Sequence, residues 1–346
     1  MKKNLYNKKN KQDLIKEIYK ENFNRLTCSF YRYTKLKNIN ELRDNLYFKW
    51  SELKILGRIY LSEEGINAQI SIPEHNIDLF KMQLNKYSAF KDILFKTAIQ
   101  EGQSFLKLVI KIKNEIVAYN IDKSEYNMDV TGKHLDSSEF NKAIKNGATI
   151  VDMRNYYEGE IGKFENAIIP DVDTSKKLLP EVKKLLKGQK NNKILLYCTG
   201  GIRCEKASSY LIHHGFSDVN QLKGGIIQYA NDVKKQKLTS KFIGKNYVFD
   251  HRMGERITKD IISKCHQCES SSDSHTNCLN QACHILFIQC TKCAKIYNNC
   301  CSEKCKKFLA LPKEEQKKLF KQNKIQFSAQ LSKKIKPKLK DLKKHN

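Results

Sequence analysis

The stretch KILLYCTGGIRCEKASSYLIHHG, residues 193–215, decides the fold. Residues 193–198 form a short apolar run of the length of a buried strand. Glycines follow at 200 and 201. Arg203 and Cys204 then open a segment, 203–215, with helical spacing and a glycine at its end. Strand, tight loop and helix make the repeating unit of a parallel α/β sheet. That unit places Cys198 at the carboxyl edge of the sheet, where open α/β folds hold ligands.

The pattern repeats on both sides of this stretch. SSEFNKAIKNG reads as a helix ending at Gly147, ATIVDMR (148–154) as a buried strand, KKLLPEVKKLLKG as a helix and DVNQLKGG as a short strand and turn. Strands alternating with helices predict a parallel sheet covered on both faces, here a domain over 135–235. Upstream, the order is different. RLTCSFYRY (25–33), KILGRIYLS (54–62), GINAQISI (65–72) and SFLKLVIKI (104–112) read as strands, with helices over 38–53 and from Pro73 to about Tyr87. The order βαββαβ predicts a ferredoxin-like (acylphosphatase-like) sandwich over 25–118, joined to the next domain by a polar linker, 119–134. Residues 1–24 form a basic extension and 245–310 a cysteine-rich segment. Residues 311–346 are Lys-rich, read as a helix near 312–322 and a disordered basic tail.

Cys198 has the surroundings of an activated thiol. Gly200 and Gly201 let the backbone turn and aim its N–H groups inward, and Arg203 and the helix N-terminus add positive potential. Such a setting favours the thiolate, which is the nucleophile. Four residues separate Cys198 from Arg203. Cysteine phosphatases use five, because their loop wraps a tetrahedral phosphate, so the spacing argues against phosphate hydrolysis. Cys204 is placed to resolve an oxidised Cys198 as a disulfide, or simply to pack beneath the helix.

Composition bounds the partners. The net charge of +27 suits a polyanion, most simply nucleic acid, although a Lys- and Asn-rich coding bias gives the same charge without selection for binding. No apolar run approaches the roughly 20 residues of a membrane span, and residues 1–24 lack the apolar core of a signal peptide, so a cytoplasmic protein without membrane contact is expected. Tyr31, Arg32, Tyr33 and Arg58 pair aromatics with arginines that can stack on splayed bases, and Arg252 is expected near the active edge.

Nine of the twelve cysteines lie between 265 and 305. In a reducing compartment that density reads as metal binding rather than disulfides. CHQC (265–268) and CTKC (290–293) are C-x2-C pairs, with Cys278 and Cys283 between them and Cys301 and Cys305 after them. These eight are the candidate ligands, and His266, His275 and His284 are spare ones. Structural zinc is the favoured reading, since four thiolates close the coordination shell. An iron–sulfur cluster, a redox-active set or free thiols are the alternatives.

VDMRNYYEGEIGKFENAIIP (151–170), LLYCTGGIRCEKAS (195–208) and QLKGGI (221–226) resemble a rhodanese domain. More closely, FYRY (30–33), GRIYLSEEGINAQIS (57–71), FLKLVIKIKNEIVA (105–118), YCTGGIRCEKAS (197–208) and YVFDHR (247–252) resemble the bacterial tRNA uridine hydroxylases of the rhodanese superfamily, over roughly residues 25 to 305. The resemblance implies hydroxylation at C5 of the wobble uridine, position 34 in the anticodon arm of tRNA, with molecular oxygen and an unidentified reductant as co-substrates. It places the essential cysteine at Cys198 and matches Asp152, Arg154 and Glu158 to residues that brace the loop. One route adds the Cys198 thiolate to C6 of uracil, with Arg203 and loop N–H groups holding the enolate at O4. The rivals are a sulfurtransferase carrying a persulfide on Cys198 and a non-catalytic, zinc-containing RNA-binding protein.

Overall fold

The computed structural model of the chain describes Leu5, residues 9–321 and Phe327. The expected basic tail lies outside the described residues, Phe327 apart. A short helix α1 (Lys11–Tyr19), capped by the Asn10 side chain, precedes the first sheet.

That sheet is built from β1 (Arg25–Tyr33), β2 (Leu56–Ser62), β3 (Gly65–Pro73), β4 (Lys96–Thr97) and β5 (Leu108–Ile112), in the order β4-β1-β3-β2-β5. Helices α2 (Ile39–Glu52) and α3 (Ile77–Asn85) cover one face, where Leu46, Trp50, Phe80 and Leu84 pack against Cys28, Phe30, Ile59, Ala68 and Ile70. The strand expected over 104–112 narrows to β5 and pairs parallel with β2. The fourth position of the βαββαβ order, antiparallel beside β1, belongs instead to the two-residue β4. A strand of two residues carries no periodicity, so the sequence did not announce it.

Alternation along these strands sets the second face. Register pairs Lys96 with Ser29, Ser29 with Gln69 and Gln69 with Arg58, so these four side chains form one row across β4, β1, β3 and β2. Tyr31, Asn67 and Tyr60 form the next row. This polar and aromatic face meets the second domain.

The second sheet is parallel, in the order β6-β10-β9-β7, from β6 (Lys133–Leu135), β7 (Thr149–Asp152), β9 (Lys193–Tyr197) and β10 (Asp218–Leu222), with β8 (Gly162–Phe164) set apart from it. Residues 119–134, expected as a linker, therefore end inside this sheet through β6. Helix α4 (Ser137–Lys145) starts at an Asp136–Glu139 capping box. The short α5 (Tyr156–Gly159) follows β7, α6 (Ser175–Leu185) precedes β9, and α7 (Ile202–His213) and α8 (Gly225–Gln236) follow β9 and β10. Along β9 the faces alternate. Ile194 and Leu196 pack with α6 and α7, while Leu195 and Tyr197 pack with α4 and α8. The period of two then places Cys198 on the α7 side.

The C-terminal segment is stitched to this domain by β11 (Phe242–Asn246), which pairs with β8 and with β12 (Glu255–Arg256). Beyond it lie the paired strands β13 (His275–Asn277) and β14 (Leu286–Ile288), then α9 (Thr291–Ile296), α10 (Glu303–Ala310) and α11 (Lys313–Lys321).

Candidate active site

Cys198 is fully buried at the end of β9. Gly201, at φ +97°, caps α7 and donates its N–H to Cys198 Sγ at 3.1 Å. The loop rests on the second glycine pair. Ile226 and Ile227, at the start of α8, donate to the carbonyls of Cys198 and Thr199 at 3.0 and 3.1 Å, so donors left open by the helix are used to hold the loop. Gly225 has φ +67°, and a Cβ there would stand 2.6 Å from the Cys198 carbonyl and 2.7 Å from the Gly201 nitrogen. Only glycine fits this approach.

Burial works against a charged sulfur. The Cys204 thiol, the Arg203 guanidinium and the N–H groups of Arg203 and Gly201 outweigh it and hold Cys198 down to about 5. Cys204, buried in the first turn of α7, moves the other way: burial and the neighbouring Cys198 push its thiol well above the usual range. At neutral pH the pair is one thiolate accepting from one thiol.

Arg203 is largely buried, its side chain 11% exposed. Its guanidinium forms a two-point pair with Glu158 at 2.7 and 2.9 Å and donates to Thr199 Oγ1 at 3.1 Å. Burial opposes the Glu158 charge, but Arg203 holds this carboxyl below the usual range. Its charge balances Glu158 and adds to the potential at Cys198, and its side chain lines the cavity beside the sulfur. Arg154 and Asp152 make a second two-point pair, fully buried, at 2.8 and 2.7 Å, to which Tyr197 adds a hydroxyl at 2.8 Å. It fixes the ends of β7 and β9 beside the loop.

The first sheet closes over the loop. A cavity of about 340 Å³ lies between them, lined by Cys198, Thr199 and Gly200 on one side and by Tyr31, Gln69 and Lys96 on the other. Tyr31 donates to Glu205 at 2.8 Å, and Tyr33 donates to the Ile202 carbonyl at 3.4 Å. Glu205 also accepts from Gln221 at 3.0 Å and pairs with His134 at 2.9 Å. Lys206, fully buried, reaches Glu64 at 2.9 Å and Glu115 at 3.0 Å, across the seam. Tyr119 donates to the Arg203 carbonyl at 2.9 Å. Of the residues read as RNA contacts, Tyr31, Arg58 and Arg252 line the cavity. Arg32 instead turns away to the carbonyls of Lys91 and Asp92. Arg252 is held by Asp250 and Glu255.

Sequence reading missed Lys96, Glu205 and Lys206. Lys206 left a trace, a lysine in the small-residue turn CEKAS. Lys96 left none.

The cysteines gather into two sets of four: Cys265, Cys268, Cys290 and Cys293, and Cys278, Cys283, Cys301 and Cys305. Within each set the sulfurs lie within 4.8 Å of one another. Specific pairs stand 3.6 Å (Cys268–Cys290), 3.7 Å (Cys283–Cys301) and 3.8 Å (Cys301–Cys305) apart. A metal held by four sulfurs at about 2.3 Å gives tetrahedral edges of about 3.8 Å. The sets fit single ions and are too open for disulfides. His266, His275 and His284 belong to neither set.

Among the described residues no helix is long and apolar enough to cross a membrane. Three family models match the chain: the UPF0176 acylphosphatase like domain over 25–116, the Rhodanese-like domain over 136–232 and the Rhodanase C-terminal over 243–306. A tRNA uridine(34) hydroxylase of Leptospira interrogans is 50% identical over 344 residues, 99% of this chain and 94% of that protein. Those of Hamiltonella defensa and Photorhabdus laumondii are 47% and 45% identical over 316 residues, 90% of this chain and 89% and 90% of theirs.

Proposed function

Since the chain belongs to the tRNA uridine(34) hydroxylase family, we propose that it converts uridine 34 of tRNA to 5-hydroxyuridine with molecular oxygen, and that the Cys198 thiolate opens the reaction. The observation that carries this reading is the cavity. It places a buried thiolate on the wall of a space of about 340 Å³. That is the small end of the range of ligand cavities, about 300–1,000 Å³, and suits one nucleotide rather than a strand. The wobble base therefore leaves its stack in the anticodon loop and enters alone.

Cys198 adds to C6 of the uracil. The S–C6 bond forms, and the C5–C6 π pair moves toward C5 and O4 as an enolate. C5 then bonds to molecular oxygen as a hydroperoxide. Loss of the C5 proton and of the Cys198 thiolate restores the double bond. Two thiols, free once Cys198 has left C6, then cleave the O–O bond with two electrons, leaving one oxygen on C5 and the other as water, and end as a disulfide. Cys198 and Cys204 supply them, and an external thiol resets the pair. Asp152, Arg154 and Glu158 act by fixing the loop and Arg203.

Each set of four cysteines would hold one zinc ion. With four thiolates bound, zinc keeps no open position and serves as a cross-link that takes the place of a larger core.

The test is nucleoside mass spectrometry of tRNA from a host lacking its own such enzymes, comparing the wild type with Cys198→Ser, with and without oxygen. A uridine product heavier by one oxygen, present only with both oxygen and Cys198, is expected. No new nucleoside, with Cys198 loading sulfur from thiosulfate, would replace this reading with a sulfurtransferase.

A further inference from the structure

Lys96 is 3% exposed, yet its side chain ends on the cavity wall. It comes from the edge strand β4. Its stem passes between the two glycine turns of the other domain: Cδ is 3.5 Å from where a Cβ on Gly224 would stand, and Cε is 3.8 Å from where one on Gly200 would stand. The ammonium lies over the Tyr31 ring, 4.3 Å from its centroid. Among the described residues it makes no ion pair and no hydrogen bond, unlike the buried Lys206 with its two glutamates. Beside it in the same cross-strand row stands Ser29, whose buried Oγ has no partner. Two adjacent donors on the cavity wall, neither with a partner of its own, point to an acceptor on the ligand.

We propose that Lys96 is a catalytic residue of the hydroxylation, its ammonium receiving O4 of the target uracil and holding the negative charge that reaches that oxygen when the Cys198 thiolate adds to C6. Arg203, on the same cavity wall, is already neutralised by its two-point pair with Glu158. O4 is three bonds from C6, so a ring seated with C6 on the sulfur carries O4 within the loop's own neighbourhood, where Lys96 enters between Gly200 and Gly224. No proton needs to transfer, because the charge simply passes from sulfur to oxygen beside a fixed cation. The same contact selects uracil. Cytosine presents an amino group at that position, and two donors would face each other.

The proposal rests on the reading of Cys198 as nucleophile, and the experiment separates the two. The full chain is assayed with tRNA transcripts carrying uridine at position 34, air and dithiothreitol, with 5-hydroxyuridine measured by mass spectrometry. An active Cys198→Ser would overturn the underlying reading. With that variant dead, Lys96→Met is expected to lower kcat by about 100- to 1,000-fold while tRNA affinity stays within about threefold. A Lys96→Met enzyme within about threefold of wild-type kcat would overturn the proposal. So would a loss confined to KM and tRNA affinity, which marks a contact to a backbone phosphate.

Lys96→Arg guards against a variant that fails to fold. Burial lowers Lys96 to about 8, against the raising influence of Cys198, Glu205 and Cys28. The other charged groups on the cavity are Arg58, Arg203, Asp250, Arg252 and Glu255. Wild-type kcat/KM is expected to fall through about pH 8 as Lys96 loses its proton, and Lys96→Arg, always charged, is expected to keep activity without that fall. An alkaline fall unchanged in Lys96→Arg would overturn the proposal.

Discussion

Replacing Cys204 with alanine isolates one of the forces that make Cys198 a thiolate. Burial raises the Cys198 pKa, and the Cys204 hydrogen bond is the largest of the influences that bring it down to about 5. A hydrogen bond to a charged acceptor contributes about 1.5–3 kcal/mol, and about 1.4 kcal/mol corresponds to one pH unit, so Cys204→Ala should move the midpoint to about 6–7. The sign follows from the donor: its loss removes support from the anion only. Taking about 6.5, the thiolate fraction at pH 5.5 falls about eightfold, while at pH 7.5 it falls by only about a tenth. The assay is the pH dependence of iodoacetamide alkylation, followed on the peptide that carries Cys198. Cys204→Ser is the control. A hydroxyl still donates, so its midpoint should stay near that of the wild type, although neither variant can form the disulfide. A Cys204→Ala midpoint still near 5, or an equal shift in both variants, would refute the reasoning.

Three further outcomes are expected. Lys206→Met leaves Glu64 and Glu115 facing each other at the domain seam. Both carboxylates are about a fifth exposed, so water relieves part of the cost, and the loss should be about 2–3 kcal/mol in urea unfolding; no loss would show that the clamp is idle. Gly225→Ala forces a Cβ into the Cys198 loop at a positive φ, so product formation should fall by at least about tenfold while the protein stays folded; full activity would mean that the loop yields. Protein purified without chelators should carry two metal ions per chain by elemental analysis. Cys265→Ser and Cys301→Ser should each remove one, and unchanged metal in both would refute the assignment.

The parts of the molecule legible in the sequence are those whose cause is local. The apolar run before Cys198, the glycines after it and the helix that follows dictate strand, loop and helix with no outside help, and alternation along β9 chooses the side on which the sulfur lies. The eight cysteines were equally plain as candidate ligands. Their partition was not, because Cys278 and Cys283 fall between the two C-x2-C pairs, and the grouping is made by chain folding around β13 and β14. Arg203 was visible as a charge beside the loop. What consumes that charge, Glu158, sits 45 residues earlier and meets it only because β7 and β9 are neighbours. Lys96 was wholly hidden: it belongs to a strand of two residues in another domain, and its burial exists only once the two sheets have docked.

That docking has a consequence for oxygen. The sulfur belongs to one domain, while the cation, the aromatic wall and the cover against solvent belong to the other. A chain whose halves have parted keeps an intact cysteine loop but has nothing to cradle a base or to shelter an electron-rich intermediate from water. Folding thus acts as an interlock. On the proposed route, the chemistry that would waste reductant on oxygen is not assembled until both halves, and the nucleotide between them, are in place.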